Sequence, residues 1–283
     1  MSTDISVCKN CGNSFTGKFC NECGQKAFEE SDKRVLRFIE EGLHFVTHFD
    51  GTIFTTLKRL LTRPGQLSAD YTDGRQKQYF RPMSFFLLLV ILYLLFPLVE
   101  GLNMRLQFHM NNRNYGEFAT QQVNSYLQHH PGLKMEQLQN MFAQKSEKTS
   151  KILLLIIVPT CALVLWALSF FRRRYFYDQM VLSAEINSFY LLSNFFLLPG
   201  LFLLVWHTGS WLGWEMPGMD DYTFTTIGQV ITAVFAAAAF RRFYRFGVPY
   251  TVIATCIFMF FHDFIVYVLY KFVLFIIAFN LIH

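Results

Sequence analysis

Charge is scarce in this sequence. Only 16% of its 283 residues are Asp, Glu, Lys or Arg, against 53% hydrophobic and 18% aromatic, with Phe alone occurring 33 times. Soluble domains are typically about a quarter charged, so a large water-soluble core is excluded and an all-α, multi-pass membrane protein is the expected class. Cysteine is equally sparse outside one place. Four of the six lie within the first 25 residues, and Cys161 and Cys256 sit inside apolar runs. That distribution excludes a secreted disulfide framework. The first 30 residues are polar, without a central apolar stretch, so no cleavable signal peptide is expected. No phosphate-cradling glycine loop, nucleophile elbow or H-E-x-x-H sequence occurs.

What is present at the start is "CKNCGNSFTGKFCNECGQ", two C-x-x-C-G units. Each pair lets one tight turn present two thiolates, and the following Gly12 and Gly24 let the backbone curl around them. Residues 1–28 therefore read as a cytosolic zinc ribbon with Cys8, Cys11, Cys20 and Cys23 as ligands. Four thiolates leave a structural Zn²⁺ no open position, and in so small a segment metal binding supplies the folding free energy. Unmetallated redox thiols are the alternative. The short spacer and few base-reading side chains argue against sequence-specific nucleic-acid binding; Lys9, Lys18 and Lys26 permit weak contact only.

Residues 32–81 read as amphipathic interfacial helices, with Val35, Phe38, Ile39, Leu43, Val46 and Phe49 at helical steps and a stop at Arg63-Pro64-Gly65. Glu41, His44, His48 and Asp50 form either a solvated polar face or a second metal site. Residues 82–283 are the expected five-span transmembrane bundle, with spans at about 82–99, 151–171, 180–205, 222–240 and 248–271, and an extracytoplasmic helical hairpin at 100–150. Basic clusters before span one, after span two (Arg172-Arg173-Arg174) and after span four (Arg241-Arg242, Arg245) fall on one side, and the acidic, Trp-rich loop before span four on the other. The positive-inside rule then sets the N-terminus in the cytosol and the C-terminus outside a bacterial inner membrane. The last apolar run, Val248 to Ile282, is too long for one crossing, and its tail is expected to lie along the interface or turn back.

"HFDGTIFTTLKRLLTRPGQ" and "YTDGRQKQYFRPMSF", set between a C-x-x-C-G pair and a first span, resemble a family of bacterial multi-pass membrane proteins with an N-terminal zinc ribbon, catalogued as a domain of unknown function. The resemblance covers about residues 8–99 well. It implies the ribbon-plus-bundle layout and no reaction. The family pattern "Y-x-H-x-V-F-x-x-H-x-H-x-F" corresponds here to "YDQMVLSAEINSF", so its three histidines are Gln179, Glu185 and Asn187 in this chain. These side chains bind transition metals more weakly.

Polar groups inside the spans are the remaining candidates, because each is costly in lipid. Ser183, Asn187, Tyr190 and Asn194 form a stripe on span three, and span five carries His262-Asp263. Glu185, Asn187, Asn194, His262 and Asp263 make up the candidate intramembrane polar site. Counting depth from the cytosolic ends predicts that Asn194 meets His262 or Asp263 and that Glu185 does not. Three functions follow. The first is a non-enzymatic membrane protein whose ribbon docks a protein partner or another copy at the cytosolic face. The second is a transporter or channel for a small solute, ion or proton using the polar residues of spans three and five. The third is an intramembrane lipid-active enzyme, disfavoured because adjacent His and Asp point about 100° apart on a helix.

Overall fold

The computed structural model describes residues 5–28, 33–35, 51–96, 102, 104–173, 175–211 and 221–282. The amphipathic segment up to Asp50, with Glu41, His44 and His48, lies outside these except for residues 33–35, as does the loop carrying Trp214, Glu215 and Asp220. A two-stranded antiparallel hairpin, β1 (Ile5–Val7) and β2 (Ser14–Thr16), opens the chain, with Ser6 opposite Phe15. Two short helices follow, α1 (Thr52–Thr62) and α2 (Gln66–Thr72). Pro64-Gly65 separates them, as its turn chemistry demands: Gly65 adopts φ +75°.

The apolar helix α3 (Pro82–Leu95) starts with Pro at its first turn, where no N–H is missed. Beyond it come α4 (Leu106–Met110), α5 (Gly116–His129), α6 (Met135–Leu153) and α7 (Ile157–Ser169). Next, α8 (Phe176–Leu192) runs through a π turn, Ser193–Leu197, into α9 (Leu198–Trp211). The π turn ends two residues before Pro199, which has no N–H to return to residue 195. Last are α10 (Asp221–Phe243), α11 (Val248–Asp263), a second π turn at Phe264–Leu269, and α12 (Tyr270–Asn280).

Among the described residues three helices are long and apolar enough to cross a membrane: Phe176–Gly209, Tyr222–Phe243 and Val248–Asn280. The other two expected spans differ from that pattern. The region of 151–171 belongs to a pair, α6 and α7, bent by 42° at their junction, and counts as one crossing only if the bent pair is taken together. At 82–99 the described helix has 14 residues, about 21 Å against a hydrocarbon core of roughly 30 Å.

Helix α8 is the axis of the bundle. Every residue from Tyr177 to Leu191 is buried, because α3, α7, α10 and α2 all pack on it. A helix enclosed on all sides need not be amphipathic, so its polar side chains point in several directions and each finds a different neighbour. Ala236 and Ala239 are fully buried on α10 and let it approach α2 closely.

The final run neither turns back nor lies flat, as the sequence reading had it. Val248–Asn280 is one 33-residue helical element, about 50 Å long. Its last third enters the α4–α6 hairpin. Phe275, Ala278 and Phe279 form one apolar cluster there with Leu106, Tyr115, Ala119, Val123, Leu138 and Phe142. The overlong helix thus contributes part of the hairpin's core.

Candidate functional site

The four N-terminal sulfurs lie within 4.8 Å of one another. Cys8 Sγ is 3.5 Å from Cys23 Sγ, and Cys11 Sγ is 3.6 Å from Cys20 Sγ. A tetrahedral ion with metal–sulfur bonds of about 2.3 Å needs sulfurs about 3.8 Å apart, so the set fits a thiophilic ion. Two matching knuckles build it. Gly12 N–H donates to the Cys8 carbonyl at 2.8 Å and Gly24 N–H to the Cys20 carbonyl at 2.9 Å. Both glycines hold positive φ. The Cys23 backbone N–H points at the Cys20 sulfur and favours its thiolate, the form a metal needs. Cys8, Cys20 and Phe15 form the ribbon's small core.

The ribbon rests on the chain's own platform. Lys77 N–H donates to Gln25 Oε1 at 2.8 Å, and the Phe28 ring lies against Gly74. The loop beneath is held by Asp70. Its carboxylate accepts from Arg75, from Tyr79 Oη at 2.5 Å and from Gln66 Nε2 at 2.8 Å. Thr56 Oγ1 accepts the Phe80 N–H at 2.8 Å and so ties α1 to the entry of α3. Thr56, Gln66, Gly74, Arg75, Lys77, Tyr79 and Phe80 of this platform fall in the two stretches quoted for the family resemblance, with Asp70 between them.

Glu185 clamps the platform to the bundle. From the middle of α8 its carboxylate accepts the Gly65 N–H at 2.7 Å, the Ser68 N–H at 2.8 Å and the Ser68 hydroxyl. The first N–H groups of a helix have no partner within it, and here a buried carboxylate fills them. A Cβ on residue 65 would lie 2.7 Å from the Ala239 carbonyl oxygen, so only Gly lets α2 sit between α8 and α10. Basic helix ends close the assembly. Arg242 donates to the Pro64 carbonyl. Arg173 donates to Thr72 Oγ1 at 2.9 Å, lies 3.5 Å from Asp178 and 3.6 Å from Asp73, and covers the Phe243 ring at 4.1 Å. Lys33 reaches Asp178 at 3.3 Å.

Gln179, Glu185 and Asn187, the three positions matched to histidines in the resemblance, do not converge. Gln179 Oε1 accepts from Tyr244 Oη and from Ser169 Oγ at 3.2 Å. Glu185 serves α2, and Asn187 faces α11. His262 Nε2 lies 3.3 Å from Asn187 Oδ1, and the Tyr190 ring meets the His262 imidazole edge-on at 5.0 Å between centroids. Tyr190 and Tyr267 hydroxyls are 3.2 Å apart. Asn194, expected to meet His262 or Asp263, is instead bonded to the Tyr190 carbonyl at 3.0 Å and to Thr232 Oγ1 on α10 at 3.3 Å. The partner of His262 is Asn187, two turns before Asn194, and one of those turns follows from α8 beginning at Phe176, ahead of the predicted Met180. Of the five candidate residues, Asn187, His262 and Asp263 are neighbours, while Glu185 and Asn194 serve other contacts. Sequence reasoning did not single out Gln25, Ser68 or Asp70. The turn Arg63-Pro64-Gly65 ahead of Ser68 was the available sign of an exposed helix start needing an acid.

Comparison with known proteins adds one match and two negatives. No curated protein matches, and no solved structure matches. Residues 50–94, which span α1, α2 and all but the last residue of α3, match the family described as "Protein of unknown function (DUF3667)".

Proposed function

We propose that this chain is a bacterial inner-membrane protein whose N-terminal ribbon binds one structural Zn²⁺ and docks a protein partner or another copy at the cytosolic face. The lipid bilayer is its medium, and no reaction is assigned to it. The observation that carries this reading is the seat of the ribbon on the platform through Gln25–Lys77 and Phe28–Gly74. It gives a metal-folded module a fixed place and leaves Ile5, Val7 and Phe19 exposed. Five crossings agree with the geometry of the basic ends. Arg173 after α7 and Arg242 at the end of α10 both reach the platform that precedes α3, as one cytosolic side requires. The hairpin and the C-terminus are then extracytoplasmic.

A photo-reactive side chain placed at Val7 tests the docking role in intact membranes. The reading expects a discrete cross-linked product, to one partner or to a second copy, that disappears in Cys20→Ser while membrane insertion persists. No product, or the same product in Cys20→Ser, would contradict it.

A further inference from the structure

Helix α1 has one more apolar side than the protein covers. At about 100° per residue, Thr56 and Leu60 fall together on its buried side. Ile53 and Leu57 flank them, packed against the bundle core. The apolar arc then continues past the bundle to Leu61 and Phe54, which are 43% and 78% exposed. Thr62, Thr55 and Arg59 make up the polar arc beyond. Lys58 stands on the border between the open apolar arc and the polar one, and it is exposed. A helix resting on a bundle in water needs an inward apolar side and an outward polar side. An additional side that is apolar and open, with a cation at its edge, suits the boundary between acyl chains and headgroups.

Two contacts set the level of this region. Arg242 lies at the end of the apolar helix Tyr222–Phe243 and donates to the Pro64 carbonyl, in the turn directly after α1. Arg173 lies just ahead of the apolar helix that starts at Phe176 and donates to Thr72 at the end of α2. The turn after α1 therefore sits level with the ends of helices long enough to cross a bilayer. Charge there is one-sided. Lys58, Arg63 and Arg242 are exposed. The platform's acids are already engaged, Asp70 by Arg75 and Asp73 by Arg173, and Glu185 is committed to α2. Among the described residues Lys58 and Arg63 have no acidic partner. We propose that α1 holds an anionic phospholipid, with an acyl chain along Leu61 and Phe54 and the headgroup phosphate against Lys58 and Arg63. A negative headgroup complements this edge. A second copy docked on the same face by twofold symmetry would set the cations against themselves. The site is independent of the ribbon's docking role.

The full chain in nanodiscs of equal parts phosphatidylglycerol and phosphatidylcholine, released into a mass spectrometer with its retained lipid, tests this. The expected result is phosphatidylglycerol retained in excess. That excess falls roughly fivefold or more when Lys58→Gln and Arg63→Gln are combined. Lys145→Gln with Lys148→Gln, which removes two exposed cations from α6, leaves it unchanged. No excess in the native chain, no fall in the α1 pair, or an equal fall in both pairs overturns the proposal. The site rests on the chain being a membrane protein. A native chain that does not enter the nanodisc overturns that reading as well, whereas one that enters without preferring the anionic lipid overturns the site alone. If the α1 pair does not insert, a photo-reactive side chain at Phe54 decides instead. Adducts with phosphatidylglycerol in excess over phosphatidylcholine support the site. Equal adducts, a cross-link to a second copy, or no adduct overturns it.

Discussion

Gly65 shows how much one residue can carry. Its φ of +75° disfavours any side chain, and a Cβ would meet the Ala239 backbone at 2.7 Å. The neighbour yields little, because the contact is with the helical backbone of Ala239 on α10. Gly65→Ala should therefore destabilise the protein by on the order of 1–3 kcal/mol from backbone strain alone, with further loss as the Glu185 contact opens. A lowered thermal midpoint in detergent is the expected reading, and an unchanged midpoint would show that α2 is not wedged between α8 and α10. Glu185 itself was legible in the sequence as a costly acid within the third span. Its partner was not, because the Gly65 and Ser68 N–H groups lie more than a hundred positions upstream, and helical periodicity carries no information about what packs on a face. The four cysteines were the opposite case. Their spacing is a local property, and it specified the cluster that folds.

Among elements, the last helix is the most informative. Its length looked like an excess, and composition could not say whether it bends. The α4–α6 hairpin answers that by using Phe275 and Phe279 as its own core. His109 lies at the centre of this junction. Its Nδ1 is 2.8 Å from Tyr115 Oη, and the Phe142 and Phe275 rings flank it at 5.4 and 5.5 Å. Burial first, and Lys271 second, push this imidazole from 6.5 down to about 4. The undocked hairpin takes up a proton that the docked one refuses. Docking is thus at full strength above pH 6.5 and weakens as pH falls toward 4, by roughly 3 kcal/mol across the window. Hydrogen exchange in residues 106–153 should accelerate at pH 4.5 relative to pH 7, and much less so in His109→Phe. Equal acceleration in both would assign the effect to other groups.

At the scale of the whole molecule, the class was plain from scarce charge and abundant aromatics, and three full-length apolar helices accord with it. The count of crossings was less legible, because α3 is short and α6–α7 is bent by 42°, and neither feature shows in a hydropathy average. What unites the chain is one end of the helical bundle. Ribbon, platform and basic helix termini converge there through Gln25, Glu185, Arg173 and Arg242. The proposed folding of the four-cysteine module by a metal bears on that convergence, since among residues 5–28 the apolar cluster of buried side chains is Cys8, Phe15 and Cys20. X-ray absorption at the zinc edge on the purified full chain, with the metal quantified, addresses this directly. The account predicts one zinc per chain bound by four sulfurs at about 2.3 Å. A metal-free chain, or zinc held by nitrogen and oxygen, would contradict it.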